Sequence, residues 1–353
     1  MENYLVYLNN VTQLRDTIIH KSGIKFVEGL KIWARWLITH ISLFDPLNRI
    51  AVLPLKEEYD YQFIHEYMSH GCPGETVHDL YAELHVARAA LLATLDLTEA
   101  PTFGAGDNIQ VQVQTNGTAG VVLQQGVYRQ SLGNTLYQKL SREYNRAQKG
   151  APAERDKYIW LILTLYQILD GHSLQWAVPP AVMWVFREKL NCTTDIFASP
   201  MNTYNSNYYS LFYHDTYFGS RGNFFTAPDT DFDRGAFHIN PPFIISLFTK
   251  TTHRILDLLA RAERAKQDLT FVYIMPDWNY FDAYNTIYMN RFGKKHIYIP
   301  PGQSYYHQYR TDTYILSSFG THVFVLSTCY DTCPVDLESE ICKHFKAPVG
   351  KVN

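Results

Sequence analysis

Gly235-Ala236-Phe237-His238-Ile239-Asn240-Pro241-Pro242-Phe243 is the stretch on which the reading of the chain turns. Its first residues have strand character and a helical pattern follows Phe243, so Asn-Pro-Pro-Phe sits where a strand hands over to a helix. At the carboxyl edge of a parallel sheet, such a turn suits a planar exocyclic amine. The Asn240 side-chain oxygen and the Pro241 carbonyl can accept the amine's two hydrogens. Pro241 and Pro242 fix the backbone and remove competing N–H donors, and Phe243 offers a face on which a base can stack. An ordinary turn with a capping asparagine is the bland alternative.

Outward from this stretch, strand and helix patterns alternate. Strand candidates are residues 195–198, 224–226, 236–240, 269–275, 296–300 and 322–327, with a helix over 242–266 between the third and fourth. An earlier helix opens at Pro179-Pro180 and ends near Leu190, proline being tolerated in a first turn. Such alternation predicts a mostly parallel sheet with helices on both faces. Ligands of these sheets bind beyond the carboxyl ends of the strands, where Ser199, Asn240 and Asp277 fall.

The amino-terminal part reads differently. Residues 24–41 place Phe26, Leu30, Ile32, Trp33, Trp36 and Leu37 at helical spacing before Asp45-Pro46. Residues 75–97 put Val77, Leu80, Leu84, Ala87, Leu91 and Leu95 on one helix face before Ala100-Pro101. Residues 109–114 alternate strictly, Asn116-Gly117 is a strong hairpin turn, and 121–123 supply a returning strand. From Arg129 to Lys157 a helical pattern carries seven Lys or Arg against three Asp or Glu. That excess marks a candidate phosphate-binding face, weighed against an ordinary solvated helix surface. A soft boundary near Gly150-Ala151-Pro152 separates residues 1–150, helical with a β-hairpin, from 151–353. An apolar helix over 158–169 and a Gly171-His172 break follow it.

Composition sets limits. With 353 residues, 46% hydrophobic and 18% charged, the chain can bury a full-sized core. Its net charge of −3 excludes the global basic signature of a protein that coats nucleic acid, so any such contact uses a local patch. Aromatic residues reach 15%, which packing explains for the most part and stacking surfaces for bases explain for the rest. Five scattered cysteines, an odd number, point to a reducing intracellular setting. Cys329, Cys333, Cys342 and His344 invite a zinc reading, but their spacing matches no common finger and no metal is expected. The sequence has no apolar run of about 18 residues, so no membrane span is expected.

Further segments can close a pocket around Asn240. Phe197-Ala198-Ser199-Pro200-Met201-Asn202 reads as a strand turning sharply into a helix whose amino end can face a polar cofactor. Phe218-Gly219-Ser220-Arg221-Gly222-Asn223 carries two glycines that permit close backbone approach. Pro276-Asp277-Trp278 ends the next strand and can border a target base. The set fits amine methylation. Two fixed acceptors favour a pyramidal nitrogen with an exposed lone pair and stabilise the positive charge that develops on it. A base inside a stack cannot enter such a pocket, so the substrate is single-stranded, terminal or flipped.

The ordered run Phe197-Ala198-Ser199-Pro200, Asn202, Tyr217-Phe218-Gly219-Ser220-Arg221-Gly222 and Asn240-Pro241-Pro242-Phe243 resembles the cap-specific adenosine N6-methyltransferase family, of the phosphorylated-CTD-interacting-factor type. The similarity takes in Tyr166-Gln167 and Leu174-Gln175 upstream, and Trp278, His307 and Tyr309-Arg310 downstream, covering roughly residues 155–328. It implies an α/β fold, a Rossmann-like class I methyltransferase domain over 151–353 joined to an N-terminal mainly helical domain. It also implies methyl transfer from S-adenosylmethionine to N6 of the 2′-O-methyladenosine beside the 7-methylguanosine cap of mRNA. N6 methylation of internal RNA or DNA adenine, and a catalytically silent cap-binding module, are the alternatives.

Carried over by position, Asn240, Pro241, Pro242 and Phe243 hold the adenine, while Phe197, Ser199, Pro200, Asn202, Gly219, Ser220 and Arg221 lie near the cofactor. A cap brings a cationic guanine that favours aromatic rings and a triphosphate that needs Lys or Arg. Trp278, Tyr305, Tyr306, Tyr309 and Arg310 offer rings and charge, and Arg129, Lys139 and Arg142 offer charge alone. The expected partner is a capped mRNA 5′ end. The resemblance implies the nucleus, with the cytoplasm as the alternative. The family's vertebrate member carries a WW module that reads the polymerase tail; none is read here, so no WW-type contact to that tail is expected.

Overall fold

The computed structural model describes residues 2–44, 50–56, 60–98, 103, 109–114, 120–125, 128–147, 152–169, 176–278, 280–330 and 333–346. Two compact units divide the chain: Met1–Leu174 with Leu211–Phe218, and Gln175–Ser210 with Gly219–Asn353.

The first unit opens with helices α1 (Glu2–Lys21), α2 (Phe26–Thr39), α3 (Tyr61–Ser69) and α4 (Gly74–Leu92). Helix α2 runs on into a single π-helical stretch at His40–Phe44 and buries Trp33 and Trp36 as its spacing predicts. The apolar face of α4 holds Val77, Leu80 and Leu84, but its fourth buried position is Arg88. That guanidinium is paired 2.6 Å from the buried carboxylate of Asp60. Strands β1 (Gln110–Gln114), β2 (Gly120–Gln125) and β3 (Tyr128–Gly133) form an antiparallel sheet in chain order. The returning strand expected at 121–123 is present and pairs with β1, Val113 opposite Val121, while the Asn116-Gly117 turn lies outside the described residues. Arg129, expected on a helix, stands on β3, where its side chain donates to Gln124.

Helices α5 (Asn134–Ala147) and α6 (Arg155–Ile168) complete this unit. Helix α6 is buried nearly all round, which makes it a core helix rather than a surface one. Arg15 of α1 donates to the Gln167 carbonyl at 2.6 Å, and Tyr166 donates to Asp215 at 2.7 Å. The division expected near residue 150 therefore falls after Leu174, because the residues it would detach form the middle of the first core.

The second unit contains β4 (Trp176–Ala177), α7 (Pro180–Leu190), β5 (Cys192–Ala198), β6 (Asn207–Ser210), β7 (Gly235–Ile239), α8 (Ile245–Arg264) and β8 (Leu269–Pro276). It continues with α9 (Asp282–Tyr288), β9 (Gly293–Ile299), β10 (Tyr305–Gln308), β11 (Thr313–Leu316), β12 (Thr321–Ser327) and α10 (Leu337–His344). Six strands form one sheet in the order β6-β5-β7-β8-β12-β9. The pairs β5–β6, β5–β7 and β7–β8 are parallel, and β12 runs antiparallel between β8 and β9.

Strand β8 is buried along its whole length, as a central strand covered on both faces must be. Its Phe271, Tyr273 and Met275 share a core with Phe248, Ile255 and Leu259 of α8. Its Val272 and Ile274 point the other way, into a core with Val182 and Phe186 of α7 and Ile341 of α10. Residues 224–226, expected as a strand, form a turn instead. The Asn223 carboxamide oxygen accepts from Phe225 N at 2.9 Å and the Asn223 carbonyl from Ala227 N at 3.0 Å. The outer position in the sheet goes to β6. A separate three-stranded antiparallel sheet, β11-β10-β4, sets His307 opposite Ala177.

Candidate active site

Strand order reverses between β5 and β7: the chain places β6 on one side of β5, then returns to build β7, β8 and β12 on the other. The crevice beyond the carboxyl ends at such a reversal is where open α/β sheets bind ligands. Asp195 and Phe197 of β5, Asn202 and Tyr204 of the loop after it, His238 of β7 and Asn240 after β7 line one recess there.

Asn240 is buried, and its amide is held one way round. Nδ2 donates to the Trp176 carbonyl at 3.3 Å, and only the NH2 end can face a carbonyl. Oδ1 is thereby turned away, buried and without a hydrogen-bond partner. The Pro241 carbonyl also accepts no hydrogen bond among the described residues, whereas the Pro242 carbonyl is taken by Ile244 N–H at 2.7 Å. Leaving a buried acceptor unpaired costs about 1–3 kcal/mol, so Asn240 Oδ1 is an atom that a ligand's N–H would satisfy.

Beneath Asn240, Asp195 accepts from Phe197 N–H at 3.1 Å. Its other oxygen lies 3.3 Å from His238 Nδ1, at an angle that misses hydrogen-bond geometry, so neither ring nitrogen of His238 is bonded. Burial pushes the Tyr309 phenol well above its ordinary value, and Tyr314, Asp195, Tyr204 and Asp312 add to the effect. Tyr309 therefore stays protonated beside the Asp195 carboxylate. Sequence reasoning missed Asp195, His238 and Tyr204. The available signal was an acid and an imidazole inside two strands that are otherwise free of charged residues.

The expected cofactor residues divide. Phe197 and Asn202 line the recess. Ser199, Pro200 and Asn202 do not lead into a helix as expected; they close a tight turn before β6. Asn202 Oδ1 accepts from Ser199 N–H at 2.7 Å and Ser199 Oγ from Asn202 N–H at 3.2 Å. These reciprocal bonds satisfy the turn locally, which leaves no open row of amides for an anion. Gly219, Ser220 and Arg221 run beside β6, Arg221 N–H donating to the Tyr208 carbonyl at 2.9 Å. Gly219 and Gly222 both have φ +93°, a conformation that favours glycine. The Ser220 hydroxyl is engaged by Ser210 at 2.5 Å.

Phe243 is half-buried in an aromatic cluster, its ring centroid 5.3 Å from Phe319, 5.9 Å from Tyr306 and 6.0 Å from Trp278. Trp278 is half-buried and also packs on Phe281. Tyr305 and Arg310 are half-buried, the first on β10 and the second in the turn to β11. Tyr306 is fully buried and its hydroxyl lies 3.1 Å from Thr321, so it is a packing residue. Arg129, Lys139 and Arg142 belong to the first unit, with Arg142 and Arg129 exposed and Lys139 half-buried. Among the described residues, no three or more His, Cys, Asp or Glu side chains converge as a metal site. No described helix is long and apolar enough to cross a membrane.

The family model described as "Phosphorylated CTD interacting factor 1 WW domain" matches residues 134–310, half of the chain. The chain belongs to the phosphorylated CTD interacting factor 1 family. In this member of the family the matched residues run from α5 through the sheet to the turn after β10, and so include Asn240 to Phe243. Two curated relatives are named mRNA (2'-O-methyladenosine-N(6)-)-methyltransferase, one from Mus musculus and one from Homo sapiens. Each is 30% identical over 164 residues, which is 43% of this chain and 22% of the relative. The chain thus spans about a fifth of the length of the relatives it matches.

Proposed function

We propose that this member of the phosphorylated CTD interacting factor 1 family transfers a methyl group from S-adenosylmethionine to N6 of the adenosine beside the cap of mRNA. The observation that carries the proposal is the pair of unpaired acceptors, Asn240 Oδ1 and the Pro241 carbonyl. Two acceptors at the carboxyl edge of β7 match the two hydrogens of an adenine amine. They hold the nitrogen with its lone pair exposed and stabilise the charge that grows on it. The names of the mouse and human relatives supply the substrate class.

The donor's chemistry is a methyl on a cationic sulfur, together with an ammonium on the same molecule. Asp195 suits those cations, since one of its oxygens has no aligned donor. Phe197 and Asn202 line the same recess and would flank the donor's adenosyl part. Phe243 and Trp278 would form the wall against which the target base lies. We read the sheet as that of a Rossmann-like class I methyltransferase, with the reversal between β5 and β7 as support. In this reading Tyr305, Tyr309 and Arg310 face the cap, and Arg129, Lys139 and Arg142 of the first unit contact RNA phosphates. The work is done in the nucleus.

The words "WW domain" in the family's description bear on contact with the polymerase tail. The matched residues here are helices and five of the six strands of the large sheet, so we place substrate chemistry, not tail reading, in this stretch.

The deciding experiment is mass spectrometry of nucleosides from an A-starting transcript incubated with the protein and donor. Capped, uncapped and 2′-O-methylated forms are run in parallel. N6-methyl-2′-O-methyladenosine from the capped transcript supports the proposal. Product from internal adenines points to an internal RNA or DNA enzyme, and donor binding without product to a silent module.

A further inference from the structure

A second cluster of titratable side chains stands one strand away from Asn240, at the end of β8. His322 Nε2 lies 3.2 Å from Asp277 Oδ1, and the Tyr298 hydroxyl donates to Asp277 Oδ2 at 2.9 Å. His296 Nε2 lies 2.8 Å from His322 Nδ1. The backbone is pinned as well, Asp277 N–H donating to the Gly320 carbonyl at 2.8 Å and Trp278 N–H to the Pro276 carbonyl at 2.7 Å. Gly320 leaves no room for a side chain: a Cβ there would stand 2.7 Å from the Tyr298 hydroxyl and 3.0 Å from Asp277 Cβ.

The proton inventory of this chain is strict. An ionised Asp277 only accepts, so His322 carries its proton on Nε2 and presents a bare Nδ1 to His296. His296 then carries its proton on Nε2. A proton added to His322 sets two N–H groups against each other unless His296 shifts its own proton to Nδ1, and a second added proton has no such escape. Burial raises Asp277, but its bonds to His322 and Tyr298 outweigh this and keep it below the ordinary carboxyl value. Burial lowers His322 despite Asp277, and burial with His322 lowers His296 despite Glu338. The other groups facing the pair are Tyr284 and Tyr288 of α9, Tyr298 of β9 and Phe324 of β12. Lys295 is held by Glu338 of α10 at 2.6 Å.

We propose that Asp277, His322 and His296 form a positioning relay that holds Trp278 against Phe243 and so sets the aromatic wall beside Asn240. The proposal rests on the reading of that wall as the base-binding face. Trp278 follows Asp277 directly, and its ring packs on both Phe243 and Phe248 at 6.0 Å. Whatever loosens the carboxylate clamp therefore tilts the ring next to the Asn-Pro-Pro-Phe turn. Both histidines are neutral at neutral pH, and one added proton only strengthens the His322–Asp277 contact. The clamp loosens when both rings carry protons, since the facing N–H groups then drive His296 and His322 apart; this lies below about pH 6.5, the ordinary imidazole value. The sign follows from linkage: the unfolded chain takes up these protons first, so the folded arrangement loses support as pH drops.

The test uses the full chain in two arms. The first follows Trp278 fluorescence from about pH 8 to about pH 5, across the range where imidazoles titrate. The Trp278→Phe protein is subtracted, and the other five tryptophans cancel. The second follows KM for capped RNA and the calorimetric affinity for the donor. In the wild type we expect a step in the Trp278 signal below about pH 6.5, a KM that rises about ten-fold over the same range, and unchanged donor affinity. Asp277→Asn and Gly320→Ala should show the displaced signal already at neutral pH, and His296→Phe should move the step. A flat Trp278 signal in the wild type, or a native signal in both Asp277→Asn and Gly320→Ala, overturns the relay. The fluorescence arm needs no activity, so it decides the relay even if no RNA is methylated.

Discussion

The Asn240 carboxamide is locked by a single bond from its Nδ2 to the carbonyl oxygen of Trp176, 3.3 Å away. Trp176 belongs to β4, which pairs with β10 through Gln308, so the small second sheet fixes which way round the amide stands. In the proposed site Oδ1 is the end that meets the adenine amine. Replacing Asn240 by Ala removes that acceptor together with its anchor. Turnover should fall about 10²–10³-fold, the usual scale for one preorganised hydrogen-bond partner in a transition state. The melting temperature should change little, because removing a buried unpaired oxygen offsets the loss of the bond to the Trp176 carbonyl. Single-turnover methyl transfer and a thermal melt check both halves, and near-normal turnover would refute the role.

Phe243 is predicted to act on the nucleic acid rather than on the donor. Phe243→Leu keeps volume within the cluster of Tyr306, Phe319 and Trp278 but loses the flat face. Base stacking on an aromatic ring is worth about 1–3 kcal/mol. KM for RNA should therefore rise about ten-fold, while donor affinity measured by calorimetry stays within error. An equal loss in both would show that Phe243 supports the whole recess instead.

Much of this was legible in the sequence because strand and helix patterns alternate there. The short apolar run of β8 reads as a strand and the Asn-Pro-Pro-Phe turn marks its neighbour's end, but which of its residues face which core emerges only from the packing. Residues 224–226 misled because three consecutive strand-favouring residues pack as a turn once Asn223 caps them. The missing helix after Ser199 was equally hidden, since Asn202 can start a helix or close a turn, and only its bond to Ser199 N–H decides. Asp195 and His238 escaped notice for a different reason. Asp195 follows two threonines on β5 and His238 sits between Phe237 and Ile239 on β7, and their 3.3 Å approach exists only once β5 and β7 pair.

Asp195 should be required for donor binding. Asp195→Asn keeps shape and the bond from Phe197 N–H but removes the charge that a sulfonium or ammonium would face. A hydrogen bond to a charged group contributes about 1.5–3 kcal/mol, so donor affinity should drop about ten- to a hundred-fold. Calorimetry with S-adenosylmethionine measures this directly. Unchanged affinity would remove Asp195 from the cofactor site.

The first unit should depend on one buried ion pair. Asp60 accepts from Arg88 at 2.6 Å and from Trp36 Nε1 at 3.2 Å, with His40 Nε2 3.7 Å away, and both charged groups are buried. Arg88 occupies an apolar position on α4, so its guanidinium has been drawn out of water to meet Asp60. Asp60→Ala takes the carboxylate away from a buried guanidinium 2.6 Å off, and breaking a buried ion pair typically costs about 3–5 kcal/mol. Asp60→Ala should destabilise by that amount in chemical unfolding. The double variant Asp60→Leu with Arg88→Met should recover most of it, because an apolar pair of similar volume carries no stranded charge. If the double variant is as unstable as the single one, the pair contributes through its geometry around Trp36 and His40 and not through charge compensation.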